Sequence, residues 1–263
     1  MPLSLAGFRL ATTIIFLPVS SSAHLILVPH VTGWEDQGLL LDVAVHVGTL
    51  LAVMLYFWRD LWEMLRGAGL ALRGKRTAGQ RMIWHLIVAT VPAIIAGYLL
   101  HKYAGDMLRS VEVIAWATIG FGVLLYVADR IGMTLRRIEH MTAGTALALG
   151  LAQVLAFIPG ASRSGVTMTA ARFLGFERAD TARFSMLMSI PVIAGAGLLG
   201  ALDLVKAGDA SLTMDALIGA GLAFVSALIA ISLMMRWLRR ASFTPFVIYR
   251  LLLGAALLAL IYL

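Results

Sequence analysis

The stretch that decides the fold is Pro159-Gly160-Ala161-Ser162-Arg163-Ser164-Gly165-Val166-Thr167. It places an arginine and three hydroxyl side chains inside the largely apolar segment 142–174. Polar backbone at membrane depth is stable only where it is buried in protein or lines a wet cavity. We therefore expect a re-entrant helix–loop–helix hairpin with this stretch at its tip. Two ordinary spans joined by a kink are the alternative.

The composition requires a membrane environment. Of the 263 residues, 60% are hydrophobic and 13% are charged, whereas soluble domains are about 25% charged. The chain contains no cysteine, which excludes disulfides, thiolate metal sites and cysteine nucleophiles. The formal net charge of +7 comes from short basic runs between apolar stretches, so it indicates membrane orientation and no nucleic-acid partner. Segment 1–28 lacks a charged leader region and a cleavage site, so we expect it to belong to the mature protein.

The apolar segments predict an all-α polytopic membrane protein with six spanning helices plus two re-entrant helix hairpins. A spanning helix needs about 20 mostly apolar residues. The six that qualify are roughly Leu39–Trp58, Met82–Leu100, Val113–Ala128, Phe184–Val205, Ala216–Met235 and Phe246–Leu263. The second interrupted stretch is 3–28, which is broken by Pro18 and a run of three serines. The charged stretch 60–76 alternates with Leu, Trp and Met and predicts an interfacial amphipathic helix.

The two halves of the chain are predicted to be inverted repeats within a single membrane domain. The basic connections after Trp58, Asp129 and Met235 belong in the cytoplasm by the positive-inside rule. Three crossings then invert a second half-repeat, about 141–263, relative to the first, about 1–140. Phe16-Leu17-Pro18 matches Phe157-Ile158-Pro159 at an offset of 141 residues. Paired broken segments in inverted halves point to a binding site where the tips meet near the midplane.

The second tip carries the chemistry of an anion site. Arg163 offers a planar fork of donors that suits phosphate oxygens. Ser162, Ser164 and Thr167 supply hydroxyl groups, and Gly165 lets the backbone approach a ligand closely. A helix that starts near Ser164 or Gly165 would add free N–H groups. An arginine within a membrane segment is itself a functional hypothesis, and a surface arginine at a cytoplasmic turn is the alternative.

The first tip contains Ser20, Ser21, Ser22 and His24. A serine needs a base to become a nucleophile, and histidine is the usual base. Ser21 and His24 are three residues apart and share a face on a helical turn. The alternative is that the serines cap a helix and the histidine lies at the membrane interface, and for this tip alone that interpretation is preferred. Together with Arg163, the same residues predict a site.

Three other charged residues at membrane depth are candidates. Asp42 is the only acid in the first full span, where it could neutralise an arginine, bind a metal cation or cap the helix. Arg183 lies 141 residues after Asp42, so a mutual ion pair is one possibility. Arg250 is either a second phosphate ligand or a side chain that snorkels to the cytoplasmic surface.

These motifs resemble a known family. The run Leu17-Pro18-Val19-Ser20-Ser21-Ser22-Ala23-His24 looks like the LPVSS-x-x-H signature of the undecaprenyl-diphosphatase family, the bacitracin-resistance membrane phosphatases. Pro159–Gly165 is similar to that family's PG-x-SRSG signature, and Pro245–Arg250 matches near the end. The resemblance covers essentially the whole chain.

The resemblance implies a multi-pass enzyme of the bacterial inner membrane, with a site that faces the periplasm. Such an enzyme removes the terminal phosphate of undecaprenyl diphosphate, a polyprenyl diphosphate lipid used in peptidoglycan and cell-wall synthesis. The resemblance also implies a divalent cation, Mg or Ca, and allows a homo-oligomer. It makes Ser21 and His24 candidates for nucleophile or proton transfer, beside Arg163. The diphosphate would be held by Ser162, Ser164 and Thr167.

One departure from the family pattern affects catalysis. Where the family has a Glu or Gln and then a Glu, this chain has Ala11 and Ile15, and segment 2–29 contains no acid. Asp42 or another acid could substitute, the protein could be an impaired paralogue that still binds lipid phosphate, or residues 8–15 could be altered locally. The alternative function, which needs no carboxylates, is a polyprenyl-phosphate flippase or transporter without hydrolysis.

Overall fold

The computed structural model describes residues 18–19, 39–103, 110–207 and 210–262, and the regular elements in these residues are all helices. Two of them are short 3₁₀ turns, Ile138–His140 and Leu155–Phe157. The α-helices are α1 (Leu39–Tyr56), α2 (Trp58–Ala71), α3 (Ala78–Tyr103), α4 (Val111–Ile131), α5 (Ala143–Val154), α6 (Arg163–Phe173), α7 (Arg178–Ala207), α8 (Ala210–Leu238) and α9 (Thr244–Tyr262).

Several of these helices can cross a membrane. Within the described ranges, four stretches are long and apolar enough: Ala78–Leu100, Val111–Ile131, Ala216–Leu238 and Thr244–Tyr262. Helix α1 bends by 77° into α2, and the pair counts as a fifth span if it is taken as one. Helix α7 covers the predicted span Phe184–Val205 but is not one of the four, and it contains Pro191. The structure thus confirms an all-α chain with several apolar helices suited to a membrane.

Helix α2 has the surface of an interfacial helix, as its alternating charges predict. Trp62 and Leu65 are exposed, while Met64 is buried against the rest of the protein. A Cβ atom at Gly79 would lie 2.2 Å from the backbone oxygen of Glu63, so α2 and α3 approach each other at backbone distance. An exposed apolar face beside charged residues suits the boundary between headgroups and acyl chains.

The helices pack closely where small residues meet. Helix α1 lies against α7 and α8, α3 lies against α5, and α4 lies against α9. A Cβ atom at Gly48 would lie 2.0 Å from the backbone oxygen of Ala220, and one at Gly150 would lie 2.4 Å from that of Ala89. Apolar lipid provides no hydrophobic force between helices, so such close contacts are what hold membrane helices together.

The segment 142–174 folds into a helical hairpin, and its re-entrant placement in the membrane stays a prediction. Thr142 caps α5 by accepting a hydrogen bond from the Thr145 N–H, and the chain turns back so that α6 packs along α5. Gly160 makes the turn with a φ of +91°, which glycine adopts at little cost. A Cβ atom there would lie 2.4 Å from the backbone oxygen of Ile114, so the tip is pressed against α4.

A buried carboxylate, Asp129, ties the other end of this hairpin to its neighbours. Its Oδ1 accepts hydrogen bonds from Arg172 Nε at 3.2 Å and from Arg178 Nε at 2.6 Å, and its Oδ2 accepts one from the Phe243 N–H at 3.0 Å. The carboxylate therefore joins the ends of α4 and α6 to the starts of α7 and α9.

Arg183 pairs with a different acid from the one its sequence position suggests. Its Nε donates to Asp60 Oδ1 at 3.0 Å, so Arg183 joins α7 to the interfacial helix α2. The side chain of Asp42 lies outside the described residues, so its possible pair with Arg183 stays a prediction.

Candidate functional site

The tip of the second hairpin ends in the N-terminus of α6. The helix begins at Arg163, next to the expected start, and Ser162 caps it by accepting a hydrogen bond from the Gly165 N–H at 3.3 Å. Ser162 has a φ of +67° and is the non-glycine residue with positive φ in the described ranges. Such a conformation costs on the order of 1–3 kcal/mol and is typical of functional sites.

Arg163 is available to bind an anion. Its side chain is partly buried, and its guanidinium makes no hydrogen bond or ion pair to another described residue. By contrast, Arg172 has a carboxylate and several carbonyls as partners. A fork of donors at a helix N-terminus, with no protein acceptor, is suited to phosphate oxygens.

The hydroxyl groups beside Arg163 are buried and are bonded to one another. Ser162 Oγ lies 3.3 Å from Ser164 Oγ. Thr167 Oγ1 donates to the Arg163 carbonyl at 2.9 Å and lies 2.7 Å from Ser185 Oγ of α7. Thr167 therefore fastens α6 to α7, and its predicted contact with the diphosphate stays a prediction.

Arg250 lies fully buried behind the tips, where backbone carbonyls surround its guanidinium. Nε donates to the Thr118 carbonyl at 3.1 Å, and Nη2 donates to the Gly160 and Ala161 carbonyls at 3.0 Å each. Nη1 donates to the Pro18 carbonyl of the first tip at 3.4 Å. This burial contradicts the snorkelling alternative, since the side chain does not reach a surface.

The shared guanidinium also shows how close the two tips come at these residues. Because the fork has a fixed geometry, oxygens bonded to the same guanidinium lie within about 9 Å of each other. Pro18 and Ala161 therefore approach each other across the two tips.

Gly165 is required for packing and not for a turn. It lies inside α6 with ordinary helical geometry, and a Cβ atom there would lie 2.5 Å from Arg250 Nη1. The group that approaches this glycine closely in the structure is the buried guanidinium, and the expected close approach of a ligand stays a prediction.

The remaining sequence candidates lie outside the described residues. These are Ser20, Ser21, Ser22 and His24 of the first tip, together with Ala11, Ile15 and the side chain of Asp42. In the part of the chain that is described, no group of three or more His, Asp or Glu side chains could hold a metal ion. The hydroxyls and guanidinium at the second tip do not form a metal-ligand set, so the divalent cation stays an expectation.

The structure identifies one polar side chain that the motifs did not. Gln153, in the last turn of α5, is 3% exposed, and neither Nε2 nor Oε1 has a hydrogen-bond partner among the residues that the structure describes. The available signal in the sequence was a single amide within the apolar run 146–158. A lone glutamine in such a run is easily taken for packing.

Comparison with known proteins shows the family of this chain. A sequence model of the family described as bacitracin resistance protein BacA matches residues 13–256, a range that includes Ile15 but not Ala11. A protein of Rhodospirillum rubrum named undecaprenyl-diphosphatase 1 is 52% identical over 94% of this chain and 90% of its own length. Proteins named undecaprenyl-diphosphatase from Ruegeria pomeroyi and Roseobacter denitrificans are 54% and 51% identical, each over 94% of this chain and 93% of their own length. The chain therefore belongs to the BacA family of bacitracin resistance proteins.

Proposed function

We propose that this protein is an undecaprenyl-diphosphatase, a membrane hydrolase that releases phosphate from its lipid diphosphate and thereby contributes to bacitracin resistance. Relatives with this name share about half of their residues with almost the entire chain. The observation that carries the proposal is Arg163, a partly buried guanidinium without a protein acceptor in the described part, at the N-terminus of a capped helix.

The second tip would hold the diphosphate. Arg163 binds two phosphate oxygens with its fork, and Ser164 places a second hydroxyl group beside Ser162. Arg250 holds the tip in place from behind through the carbonyls of Gly160 and Ala161. These groups stabilise negative charge on phosphate oxygens, which is the main requirement of phosphoryl transfer.

The first tip would supply the attacking group. In the reaction a nucleophilic oxygen or nitrogen forms a bond to the terminal phosphorus as the bridging P–O bond breaks. The bridging oxygen leaves with the lipid monophosphate, and water finally takes up the phosphoryl group. Ser21 and His24 remain the candidates for nucleophile and proton transfer, and Pro18, three residues before Ser21, reaches Arg250 behind the second tip.

We further propose that the complete chain has six spanning helices and two re-entrant hairpins in inverted halves, in the bacterial inner membrane with the tips facing the periplasm. The described apolar helices and the buried tip at Gly160 support this arrangement. The basic connections after Trp58, Asp129 and Met235 support the orientation.

The decisive experiment measures phosphate release from undecaprenyl diphosphate by the purified protein in detergent. Arg163→Ala should reduce kcat/KM by about 10- to 100-fold, because a hydrogen bond to a charged group contributes about 1.5–3 kcal/mol. Arg163→Lys should recover only part of this loss, since it keeps the charge but not the fork. Arg236→Ala, at an exposed arginine, is the matched control. Unchanged activity in Arg163→Ala would contradict the site, and lipid translocation without phosphate release would favour the flippase.

The absent carboxylates give a second test. A metal would neutralise charge on the reacting oxygens, and the positions at which the family carries its acids hold Ala11 and Ile15. Ala11→Glu combined with Ile15→Glu should raise metal-dependent turnover by at least about tenfold, which corresponds to about 1.4 kcal/mol of barrier. If the unmodified protein already turns over as fast as a Glu-bearing relative, another group such as Asp42 carries this role.

A further inference from the structure

Gln153 is a buried amide that the fold leaves without a partner. It is 3% exposed, and both of its polar atoms lack a hydrogen bond. An unsatisfied buried polar group is costly, and most buried polar groups in native proteins are paired. A leucine would fill a similar volume without this penalty. The amide therefore indicates a hydrogen-bond partner that is present only when a ligand is bound.

The fold places Gln153 at the tip end of the second hairpin. It lies in the last turn of α5, and Arg163 lies in the first turn of α6, which packs antiparallel along α5. Two polar side chains without partners in the described part therefore lie at the same end of one hairpin. Among the described residues, the other buried side-chain atom without a partner is Thr181 Oγ1. It lies in the first turn of α7, beyond the opposite end of α6.

We infer that Gln153 is a further substrate-binding residue of the diphosphatase site, an assignment that rests on the proposed function. An N–H donor of its amide binds a non-bridging oxygen of the diphosphate beside the Arg163 guanidinium. A glutamine suits this role because it adds donors without the negative charge that a carboxylate would bring to a phosphate.

This assignment predicts opposite effects on stability and on binding, which a packing residue would not show. Gln153→Leu removes the unsatisfied amide, so the substrate-free protein in detergent should unfold about 2–4 °C higher. The same variant should show a KM for undecaprenyl diphosphate raised by about tenfold. It should also lose most of the increase in Tm that inorganic pyrophosphate gives the parent protein.

Thr181→Val is the matched control, because it removes the other buried polar atom without a partner at a distance from the tip. It should raise Tm in the same way while KM and the pyrophosphate effect stay at the parent values. Gln153→Met, an unbranched side chain of similar length, provides a second variant if the branched leucine disturbs the packing.

The outcomes separate this inference from the proposed function. A parent protein that releases phosphate, together with Gln153 variants whose KM and pyrophosphate effect are unchanged, would overturn the inference alone and would point to a buried water as the partner of the amide. A lower Tm in both variants would also overturn it, since the amide would then be paired in the free protein. A parent that neither releases phosphate nor responds to pyrophosphate would overturn the proposed function and the inference together.

Discussion

Replacing Arg250 should loosen both tips at once. Its guanidinium makes four hydrogen bonds of 3.0–3.4 Å to carbonyls of Thr118, Gly160, Ala161 and Pro18. Each hydrogen bond to a charged group contributes about 1.5–3 kcal/mol. The contributions do not add, and removing the cation also removes its desolvation cost. We therefore expect Arg250→Met to cost about 3–5 kcal/mol, because it leaves several buried carbonyls without a donor, at about 1–3 kcal/mol each.

The measurement is thermal unfolding in detergent, in which Arg250→Met should lower Tm by about 10 °C. Arg250→Lys should lose roughly half as much, because an ammonium has three donors and no planar fork. Arg236→Met, at an exposed position, is the control. An Arg250→Met protein with the parent Tm would refute the reasoning.

The approach of the tips can be followed separately. The chain has no cysteine, so cysteines introduced at Val19 and Ala161 would be its only thiols. A bifunctional thiol reagent should crosslink this pair faster in the parent background than in Arg250→Met. Equal rates in the two backgrounds would show that Arg250 does not hold the tips together.

Two further predictions concern the ends of the helices that face away from the tips. Asp129→Asn should destabilise the protein by about 3–5 kcal/mol, because it leaves Arg172 buried without a counter-charge. Chemical denaturation in detergent measures this loss, and a clearly smaller loss would be evidence against the network. Burial raises the pKa of the Asp180 carboxyl above its ordinary value of 3.8. The folded state therefore favours the protonated acid, and this stabilisation is present below about pH 4 and lost as pH rises through the folded pKa. Asp180→Asn should flatten that decline in Tm, and an unchanged pH profile would contradict the assignment.

Local patterns were sufficient to predict most of the helical architecture. The apolar runs predicted α3, α4, α8 and α9, because span length and hydrophobicity follow directly from the thickness of a bilayer. The interruption at Pro159-Gly160 predicted a hairpin tip, since glycine with positive φ and a following serine cap are local features.

Partners that are distant in the sequence could not be predicted in the same way. The repeat offset drew attention to Asp42 and gave no indication of Asp60, which lies after the bend between α1 and α2 and accepts a hydrogen bond from Arg183. Arg250 was an ambiguous cation, because nothing near it in the sequence indicates that it contacts Thr118 and Pro18. Gln153 was visible in the sequence only as a lone amide in an apolar run, since its lack of a partner among the described residues is a property of the packed structure.

The contact between Gly165 and Arg250 constrains how this protein can diverge. A methyl group at position 165 would lie 2.5 Å from Arg250 Nη1, so a larger residue there must displace the guanidinium. The two positions are therefore expected to covary, since a residue larger than glycine at 165 would fit more easily beside a shorter side chain at 250. In this protein the glycine of a signature motif thus leaves the space that the guanidinium of Arg250, 85 residues further along the chain, occupies.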